Sequence, residues 1–435
     1  GRAYPFVCFW HCVWSYCQRS RMSNALCRGA KKVVGAADMQ ERDAVLMVAG
    51  EASADLHGAK VVRALLRNHA DIDVFGMAGE AMRGAGCEAL VPAERMSIAG
   101  LTEVLLALPR IFRIMRTLQR AAAARRPKVA VLIDMPDFNL RLAKRLKRLG
   151  IPVIYYISPQ LWAWRPGRVE QIRQRVDQML VILPFEAQWY ATRGVPARFV
   201  GHPLVEELEH VPSRSQARTE LGLAAGPGPV VALLPGSRSK ELSRHLPRML
   251  GAVERLRGEF PQLQAVLPVA STLPIERVER MVAKLGAQIH VIRGHSTEVL
   301  SAADAAVVCS GTATLQTALL ARPMVVVYRA SWLTYLILKR LVHVAHIGLV
   351  NLVAGKRLVP ELIQNAFTPA NVARELQRLL TDSARRVELE AEFARLRQQL
   401  GPGERASGQQ VAAAISAYLP TGSDTRAPAE APDHG

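Results

Sequence analysis

Short apolar runs alternate with amphipathic segments along most of the chain. Each run is continuously apolar, which is typical of parallel strands buried on both faces, whereas strands with one wet face alternate apolar and polar positions. The pattern therefore predicts two series of parallel strands, each covered by helices. The predicted strands are 44–48, 129–133, 153–157 and 179–183 in the first series, and 230–234, 265–269, 288–292, 305–309 and 324–327 in the second.

A polar stretch with Gly and Pro, at about 206–228, separates the two series. The predicted architecture is α/β, with two doubly wound Rossmann-like domains, a cleft between them and C-terminal helices. Ligands of such sheets bind beyond the carboxyl ends of the strands. The predicted segments are a disordered or mis-assigned N-terminal extension over 1–42 with Met39 as a candidate start, a first domain over 43–206, a second over 207–365, C-terminal helices over 366–419 and a disordered tail over 420–435.

The chain of 435 residues carries a formal net charge of +19, which predicts an acidic partner. Nucleic-acid modules interleave basic and aromatic residues or carry a recognisable motif, and neither is found here. An anionic membrane surface or a phosphorylated substrate is therefore favoured. No stretch reaches the roughly 18 apolar residues of a membrane span.

Four of the six cysteines lie among the first thirty residues, so the remainder of the chain is poor in cysteine, as in a reducing compartment. The N-terminal cluster lacks paired CxxC spacing, so no metal site is predicted there. No cofactor is expected.

Two loops of the second domain suit a diphosphate. The first contains Gly236, Ser237 and Arg238, which offer close backbone approach, a hydroxyl and a bidentate cation. The second, at 310–312, is Ser310-Gly311-Thr312 before a helix, whose N-terminus attracts anions. Neither loop has the GxxxxGK[ST] or GxGxxG pattern, which disfavours a P-loop enzyme or a dehydrogenase.

Candidate catalytic groups lie in the first domain. Asp134 follows a buried strand and is a candidate general base, with Asp137 as the alternative. Either carboxylate could instead cap the next helix or form a salt bridge.

Aromatic and basic residues of the first domain are candidates for contacts with a sugar substrate. Trp162, Trp164 and Arg165 would suit sugar stacking and phosphate contact, although interdomain packing explains the tryptophans equally well. His202 could contact a phosphate or brace a hinge.

The segment 97–120 has apolar residues on one face and arginines on another. Such a helix fits the surface of an anionic membrane, and a buried core helix is the alternative. The predicted membrane patch contains Ile98, Leu101, Leu105, Leu108, Ile111 and Phe112.

Eight motifs occur in an order that resembles the lipid-A-disaccharide synthase family of Gram-negative bacteria, over roughly residues 43–400. They are GEAS at 50–53, IDMPDFN at 133–139, SPQLWAWR at 158–165, GHP at 201–203, LLPGSR at 233–238, SGTATLQ at 310–316, PMVVVYR at 323–329 and NLVAGKRLVPEL at 351–362.

The resemblance implies a metal-independent inverting glycosyltransferase of the GT-B type. It implies that UDP-2,3-diacylglucosamine and 2,3-diacylglucosamine 1-phosphate combine into a β-1,6-linked disaccharide with release of UDP. Asp134 would be the base, Arg238 and Asn351 would lie at the donor site, and Glu51 and Ser53 would lie at the cleft. Gln316 stands where a glutamate that binds the ribose is common.

The predicted function implies a location in the cell, and two alternative functions remain open. A peripheral position on the cytoplasmic face of the inner membrane is expected, without nucleic acid and with a homodimer left open. Another UDP-sugar enzyme of the same architecture, such as a UDP-N-acetylglucosamine 2-epimerase or a peptidoglycan glycosyltransferase, is the nearest alternative. A non-catalytic peripheral membrane protein that binds lipid headgroups is the alternative of another class.

Overall fold

The computed structural model describes residues 43–96, 101–164, 166–223, 226, 228–332, 335, 345–403 and 405–419. The predicted extension, the predicted tail, Ile98 and Arg165 lie outside these ranges, as do the side chains of 101–107 and of Trp164. Two parallel sheets with flanking helices confirm the predicted fold class.

The first sheet has seven parallel strands in the order β3-β2-β1-β4-β5-β6-β7. All five residues of the fourth strand are buried, in agreement with the continuous apolar run in the sequence. The strands are β1 Ala44–Ala49, β2 Asp73–Ala78, β3 Glu88–Pro92, β4 Val129–Ile133, β5 Val153–Tyr156, β6 Gln178–Val181 and β7 Ala197–Phe199.

The second sheet has six parallel strands in the order β10-β9-β8-β11-β12-β13. The strands are β8 Val230–Leu234, β9 Gln264–Val269, β10 His290–Arg293, β11 Ala305–Cys309, β12 Met324–Tyr328 and β13 Glu361–Ile363.

Each sheet has one point at which the strand order reverses, between β1 and β4 in the first and between β8 and β11 in the second. The loops that follow these four strands therefore open a crevice in each sheet. They are the loops that begin at Gly50, Asp134, Pro235 and Ser310.

Helices cover both sheets, and short 3₁₀ turns lie at Ala93–Met96, Pro166–Arg168 and Gln364–Ala366. The helices around the first sheet are α1 Ala52–Asn68, α2 Glu80–Gly84, α3 Leu101–Arg125, α4 Pro136–Arg148, α5 Leu161–Trp164, α6 Val169–Arg173, α7 Pro184–Ala191 and α8 Pro203–Glu207. Those that follow are α9 Arg214–Glu220, α10 Ser239–Arg257, α11 Ile275–Lys284, α12 Ser296–Ala302, α13 Thr312–Leu319, α14 Leu349–Ala354, α15 Pro369–Thr381, α16 Ser383–Leu400 and α17 Ser407–Ser416.

The C-terminal helices divide between the two sheets. Helices α15 and α16 contribute Leu376 and Phe393 to the core of the second sheet. Helix α17 returns to the first sheet, where Val411 and Ile415 join its core. The Leu400 carbonyl accepts a hydrogen bond of 2.8 Å from the His202 backbone N–H, which links the segment after α16 to the end of the first domain.

Helix α3 corrects part of the predicted membrane patch. Ile111 is only 3% exposed, so it packs in the protein interior and cannot be a surface contact. Leu108 and Phe112 are half-buried. The later part of α3 is thus a core helix, because its remaining apolar face is covered by the sheet that it packs on. No helix within the described part of the chain is long and apolar enough to cross a bilayer.

The N-terminus of α1 has no side-chain cap. Glu51 occupies the N-cap position and makes no side-chain hydrogen bond to the first turn. The buried Asp55 instead accepts backbone hydrogen bonds from Gly79, Ala81 and Met82 at 2.7, 2.9 and 3.2 Å. Asp55 therefore provides the acceptors for the first turn of α2.

Replacing Asp55 with Ala should lower the free energy of unfolding by about 3 kcal/mol, because it leaves three N–H groups without their acceptor. Urea unfolding checks this value. Asp71→Ala, on an exposed turn, is the control and should change stability little. Equal effects of the two substitutions would contradict the capping role.

Candidate active site

The two loops at the reversal point of the second sheet surround one cavity of about 580 Å³. The β9 and β10 ends complete its wall with Ala270, Ser271 and Gly294. The structure thus brings together most of the predicted diphosphate residues, which are Gly236, Ser237, Arg238, Ser310, Gly311, Thr312 and Gln316.

Glu241 shapes the first loop. Its carboxylate accepts the Arg238 backbone N–H at 3.3 Å and pairs with the Arg238 guanidinium at 3.1 Å. Gly236 has φ +110°, and a Cβ there would lie 2.4 Å from a Glu241 carboxylate oxygen, so the position requires glycine. The Arg238 side chain remains 82% exposed and available to a ligand in the cavity.

The buried His245 fixes the same loop, and the sequence offered no signal for it. Its Nδ1 lies 2.8 Å from the Pro235 carbonyl and its Nε2 accepts the Arg329 backbone N–H at 3.0 Å. These partners require the neutral tautomer with the proton on Nδ1. Burial lowers the pKa of His245, which favours that neutral form.

The second loop leads into α13. Gly311 has φ +150°, a conformation that favours glycine, and the first-turn N–H groups of α13 have no acceptor within the helix. The Ser310 hydroxyl donates to the Ile347 carbonyl at 2.6 Å and so fixes the loop. The helix N-terminus faces the cavity with positive dipole character.

Gln316 also lines the cavity. Its Nε2 donates to the Thr297 hydroxyl at 3.0 Å, which leaves the amide oxygen as the group directed to other partners.

The structure corrects the expectation for Asn351. This side chain is fully buried, donates to the Val359 carbonyl and to Glu361, and accepts from the backbone N–H groups of Leu358 and Val359, all at 2.9 Å. Its hydrogen-bonding capacity is used within the protein. Asn351 therefore fixes the segment that follows α14, from Leu358 to Glu361, and has no hydrogen-bonding group left for a ligand.

A second pocket of about 500 Å³ lies at the reversal point of the first sheet. From the predicted set, Asp134, Asp137, Ser53 and His202 line it, and Thr312 and Leu349 of the second domain close it. Lining residues that the sequence did not predict include the polar side chains of His57, Gln160, Arg168 and Glu207.

Asp134 has an unusual backbone conformation. Both Asp134 (φ +50°) and Met135 (φ +47°) lie in the left-handed region, which is costly for residues with a side chain. The Asp134 carbonyl accepts hydrogen bonds from the Tyr155 hydroxyl at 2.5 Å and from Asn139 Nδ2 at 2.7 Å. Tyr155 and Asn139, both buried, therefore hold the turn that places the Asp134 carboxylate at the pocket.

Electrostatics connect the two sheets at this point. Burial raises the pKa of Asp134. Partial removal from water and then the negative charge of Asp134 raise the pKa of Glu51, while the positive charge of Arg238 opposes the rise. Carboxylates from the first sheet and an arginine from the second thus act on each other.

Asp137 has different surroundings from Asp134. Its side chain is 54% exposed and pairs with the Arg168 guanidinium at 3.2 Å. Asp134 is more buried, and burial makes its charged form less favourable, so it is better suited to take up a proton.

Trp162 packs away from the ligand space. Its indole N–H donates to the buried Glu186 at 2.9 Å and its ring meets Phe185 edge-on, so the packing alternative applies to this residue. Burial raises the pKa of Glu186 to about 7.

His202 accepts the Leu204 backbone N–H at 3.2 Å as the N-cap of α8. Burial lowers the pKa of His202 to about 4, so the ring is neutral near pH 7 and braces the segment rather than supplying a cation.

Among the described residues, no cluster of His, Cys, Asp and Glu is arranged to hold a metal ion.

Two Rossmann-like domains, with an anion-suited cavity in one and a partly buried aspartate in the adjoining pocket of the other, have the architecture of the GT-B class. Solved structures share the fold. One is UDP-GlcNAc 2-epimerase from Neisseria meningitidis bound to UDP-GlcNAc, with a TM-score of 0.60 and 13% identity over 86% of this chain and 99% of that one. Another is CalG4, the calicheamicin glycosyltransferase, with a TM-score of 0.53 and 15% identity over 88% of this chain and 99% of that one.

Sequence comparison identifies the particular family. The family described as "Lipid-A-disaccharide synthetase" matches residues 45–415. The lipid-A-disaccharide synthase of Anaeromyxobacter dehalogenans strain 2CP-1 is 51% identical over 82% of this chain and 92% of its own length. That of Myxococcus xanthus strain DK1622 is 46% identical over 87% and 98%. The chain belongs to the lipid-A-disaccharide synthase family, and its activity lies in lipid A biosynthesis.

Tyr155→Phe should lower kcat about tenfold without changing the affinity for UDP, because the Asp134 turn loses one of its two holding bonds. Steady-state kinetics and UDP titration separate these effects. Tyr156→Phe, equally buried on the same strand, is the matched control and should retain kcat. A similar loss of kcat in both variants would indicate general destabilisation instead of positioning.

Proposed function

We propose that the protein transfers the sugar of UDP-2,3-diacylglucosamine to the 6-hydroxyl of 2,3-diacylglucosamine 1-phosphate, with inversion at the anomeric carbon. The donor occupies the cavity of the second sheet and the acceptor the pocket of the first. Asp134 takes the proton of the attacking hydroxyl as general base. UDP leaves, and a β-1,6-linked disaccharide 1-phosphate is formed.

The observation that carries this proposal is that Thr312 lines both the cavity that contains Arg238 and the pocket that contains Asp134, so the two spaces adjoin. In agreement, Glu51 is affected by the negative charge of Asp134 and by the positive charge of Arg238. An inverting transfer needs a base on one side of the sugar and a stabilised leaving group on the other. Asp134 lies on the acceptor side, and Arg238 lies on the donor side. Thr312 and Leu349 reach from the second domain into the acceptor pocket, which supports a short path between the two substrates.

Charge that develops on the leaving diphosphate is stabilised by groups already in position. The exposed guanidinium of Arg238 and the N–H groups at the start of α13 lie on the same cavity. Such preorganised donors lower the barrier because they need not reorient during the reaction. Gln316 is assigned to the ribose through its amide oxygen, with weaker attraction than a charged carboxylate would give.

Burial raises the pKa of Asp134, and a higher pKa makes its carboxylate a stronger base. Activity requires the ionised form, so the rate falls when the pH drops through the pKa of Asp134. Because burial raises this pKa, the fall occurs at a higher pH than an ordinary aspartate would give.

We also propose a peripheral position at the cytoplasmic face of the inner membrane, where both acylated substrates reside. The net charge of +19 and the exposed outer face of α3 support it. That face carries four exposed arginines, which are Arg110, Arg113, Arg116 and Arg120.

Asp134→Asn should lower turnover by about 10²-fold or more while UDP binding is retained, because the side chain keeps its size and loses its basicity. The melting temperature should not fall, since Asn tolerates the left-handed backbone and the variant carries no half-buried charge. Mass spectrometry of the disaccharide product and UDP titration provide the measurements. Unchanged turnover would remove Asp134 from the mechanism, and lost UDP binding would place it at the donor site.

Arg238→Ala should weaken UDP binding about 10- to 100-fold, as expected for the loss of a charge-assisted contact with a diphosphate. Isothermal titration with UDP is the measurement. Lys240→Ala removes an exposed positive charge two residues away and is the matched control, with little effect expected. An equal loss in both variants would mean that general surface charge, and not a contact from Arg238, attracts the nucleotide.

A further inference from the structure

Three arginines converge beside the acceptor pocket, on elements that are distant in sequence. Arg141 lies on α4, Arg168 ends the 3₁₀ turn Pro166–Arg168, and Arg175 follows α6. Arg168 lines the pocket that contains Asp134. Arg141 donates through Nε to the Asp137 carbonyl at 3.0 Å, and Arg175 donates to the Leu140 carbonyl at 3.3 Å. These bonds hold the guanidinium groups against the first turns of α4.

The three guanidinium groups meet at the start of α4, because Arg141 and Arg168 both donate to Asp137 and Arg175 donates to Leu140, three residues further on. Burial lowers the pKa of Arg141, and the positive charges of Arg168 and Arg175 lower it further against the opposing effect of Asp137. Burial lowers the pKa of Arg175, and the charge of Arg168 adds to the effect. Half-buried guanidinium groups in such proximity are costly unless an anion joins them.

Asp137, the carboxylate partner of Arg168, offsets the repulsion between the arginines only in part. Asp137 Oδ1 accepts from one Nη of Arg168 at 3.2 Å, and its side chain is 54% exposed. A phosphate monoester carries up to two negative charges and several acceptor oxygens, and guanidinium groups match it in bidentate geometry.

We propose that Arg141, Arg168 and Arg175, named here the arginine cluster, bind the phosphate monoester of the acceptor sugar beside the pocket that contains Asp134. The inference rests on the proposed function and adds the recognition of one substrate group to it. Arg168 also acts electrostatically on the buried Tyr155, whose hydroxyl holds the Asp134 turn, so the cluster lies close to the proposed base. A phosphate held there would orient the sugar so that its hydroxyl meets Asp134.

Phospholipid headgroups also carry a phosphate that arginines could bind. The following experiment separates binding of the acceptor phosphate from binding of a headgroup phosphate. Turnover in detergent without phospholipid is measured with 2,3-diacylglucosamine 1-phosphate and with 2,3-diacylglucosamine as acceptors. Binding to vesicles of phosphatidylglycerol and phosphatidylethanolamine is measured by co-sedimentation. The variants are Arg168→Gln and Arg175→Gln, and the matched control is Arg173→Gln, whose exposed side chain pairs with Glu170 on the outer face of α6.

The protein should prefer the phosphorylated acceptor by at least about tenfold in kcat/KM, as one or two charge-assisted contacts would give. Arg168→Gln and Arg175→Gln should bring this preference close to one, mainly through a higher KM for the phosphorylated acceptor, with the affinity for UDP retained. Arg173→Gln should keep the preference. Thermal melting of each variant checks that the fold is intact.

Three outcomes would overturn the inference. The preference could survive in both variants, the KM for both acceptors could rise equally, or only vesicle binding could fall, which would assign the cluster to headgroups. Failure of the proposed function is a separate result, because the protein itself would then form no disaccharide from the phosphorylated acceptor.

Discussion

In both sheets the strand order reverses once, and the crevice at that reversal governs where chemistry can take place. The first sheet reverses between β1 and β4, and the loops that leave these strands carry Glu51 and Asp134. The second reverses between β8 and β11, and its loops carry Arg238 and Ser310. Parallel pairing places the carboxyl ends of all strands of a sheet at the same edge, so the loops that follow neighbouring strands lie side by side without being long. The candidate site thus follows from topology, and side-chain contacts refine it.

The Asp134 turn shows how stability is exchanged for function. Two consecutive residues with positive φ and a carboxylate with a raised pKa are each unfavourable in the folded state. Tyr155 and Asn139 offset this cost with two short hydrogen bonds to a single carbonyl. A comparable arrangement occurs across the cleft, where His245 and Glu241 hold the loop around Gly236 and Arg238. On the first side the buried Tyr155 and Asn139 fix the loop, and on the second the buried His245 does so together with Glu241, which lies in the cavity wall.

Much of the fold could be predicted from the sequence because the central strands are buried on both faces and read as continuous apolar runs. β4, β8 and β11 were predicted with their observed limits. β2, β3, β7 and β13 were missed, since β2 contains Gly76 and begins with Asp73, while the other three are short or half-exposed strands at the edges of the sheets.

The site was predicted where a motif follows a strand directly. The loop residues at the two reversal points lie where the sequence placed them, but Asn351 and Ile111 turned out to be internal, because a sequence motif does not reveal which way a polar or apolar side chain points. Tyr155, His245 and Arg168 could not be found from the sequence, since their partners are 21, 84 and 31 residues away.

The return of α17 to the first sheet means that the polypeptide passes between the two halves of the molecule twice, once after β7 and once after α16. The two passages touch. Gly201 packs so closely on Pro402 that a Cβ would lie 2.4 Å from it, and the adjacent His202 and Leu400 share a backbone hydrogen bond. Two crossings packed on each other restrict the relative movement of the two halves more than a single linker would, because neither crossing can shift without disturbing the other. The alignment of the loops that carry Asp134 and Arg238 therefore depends on a contact far from either loop in sequence.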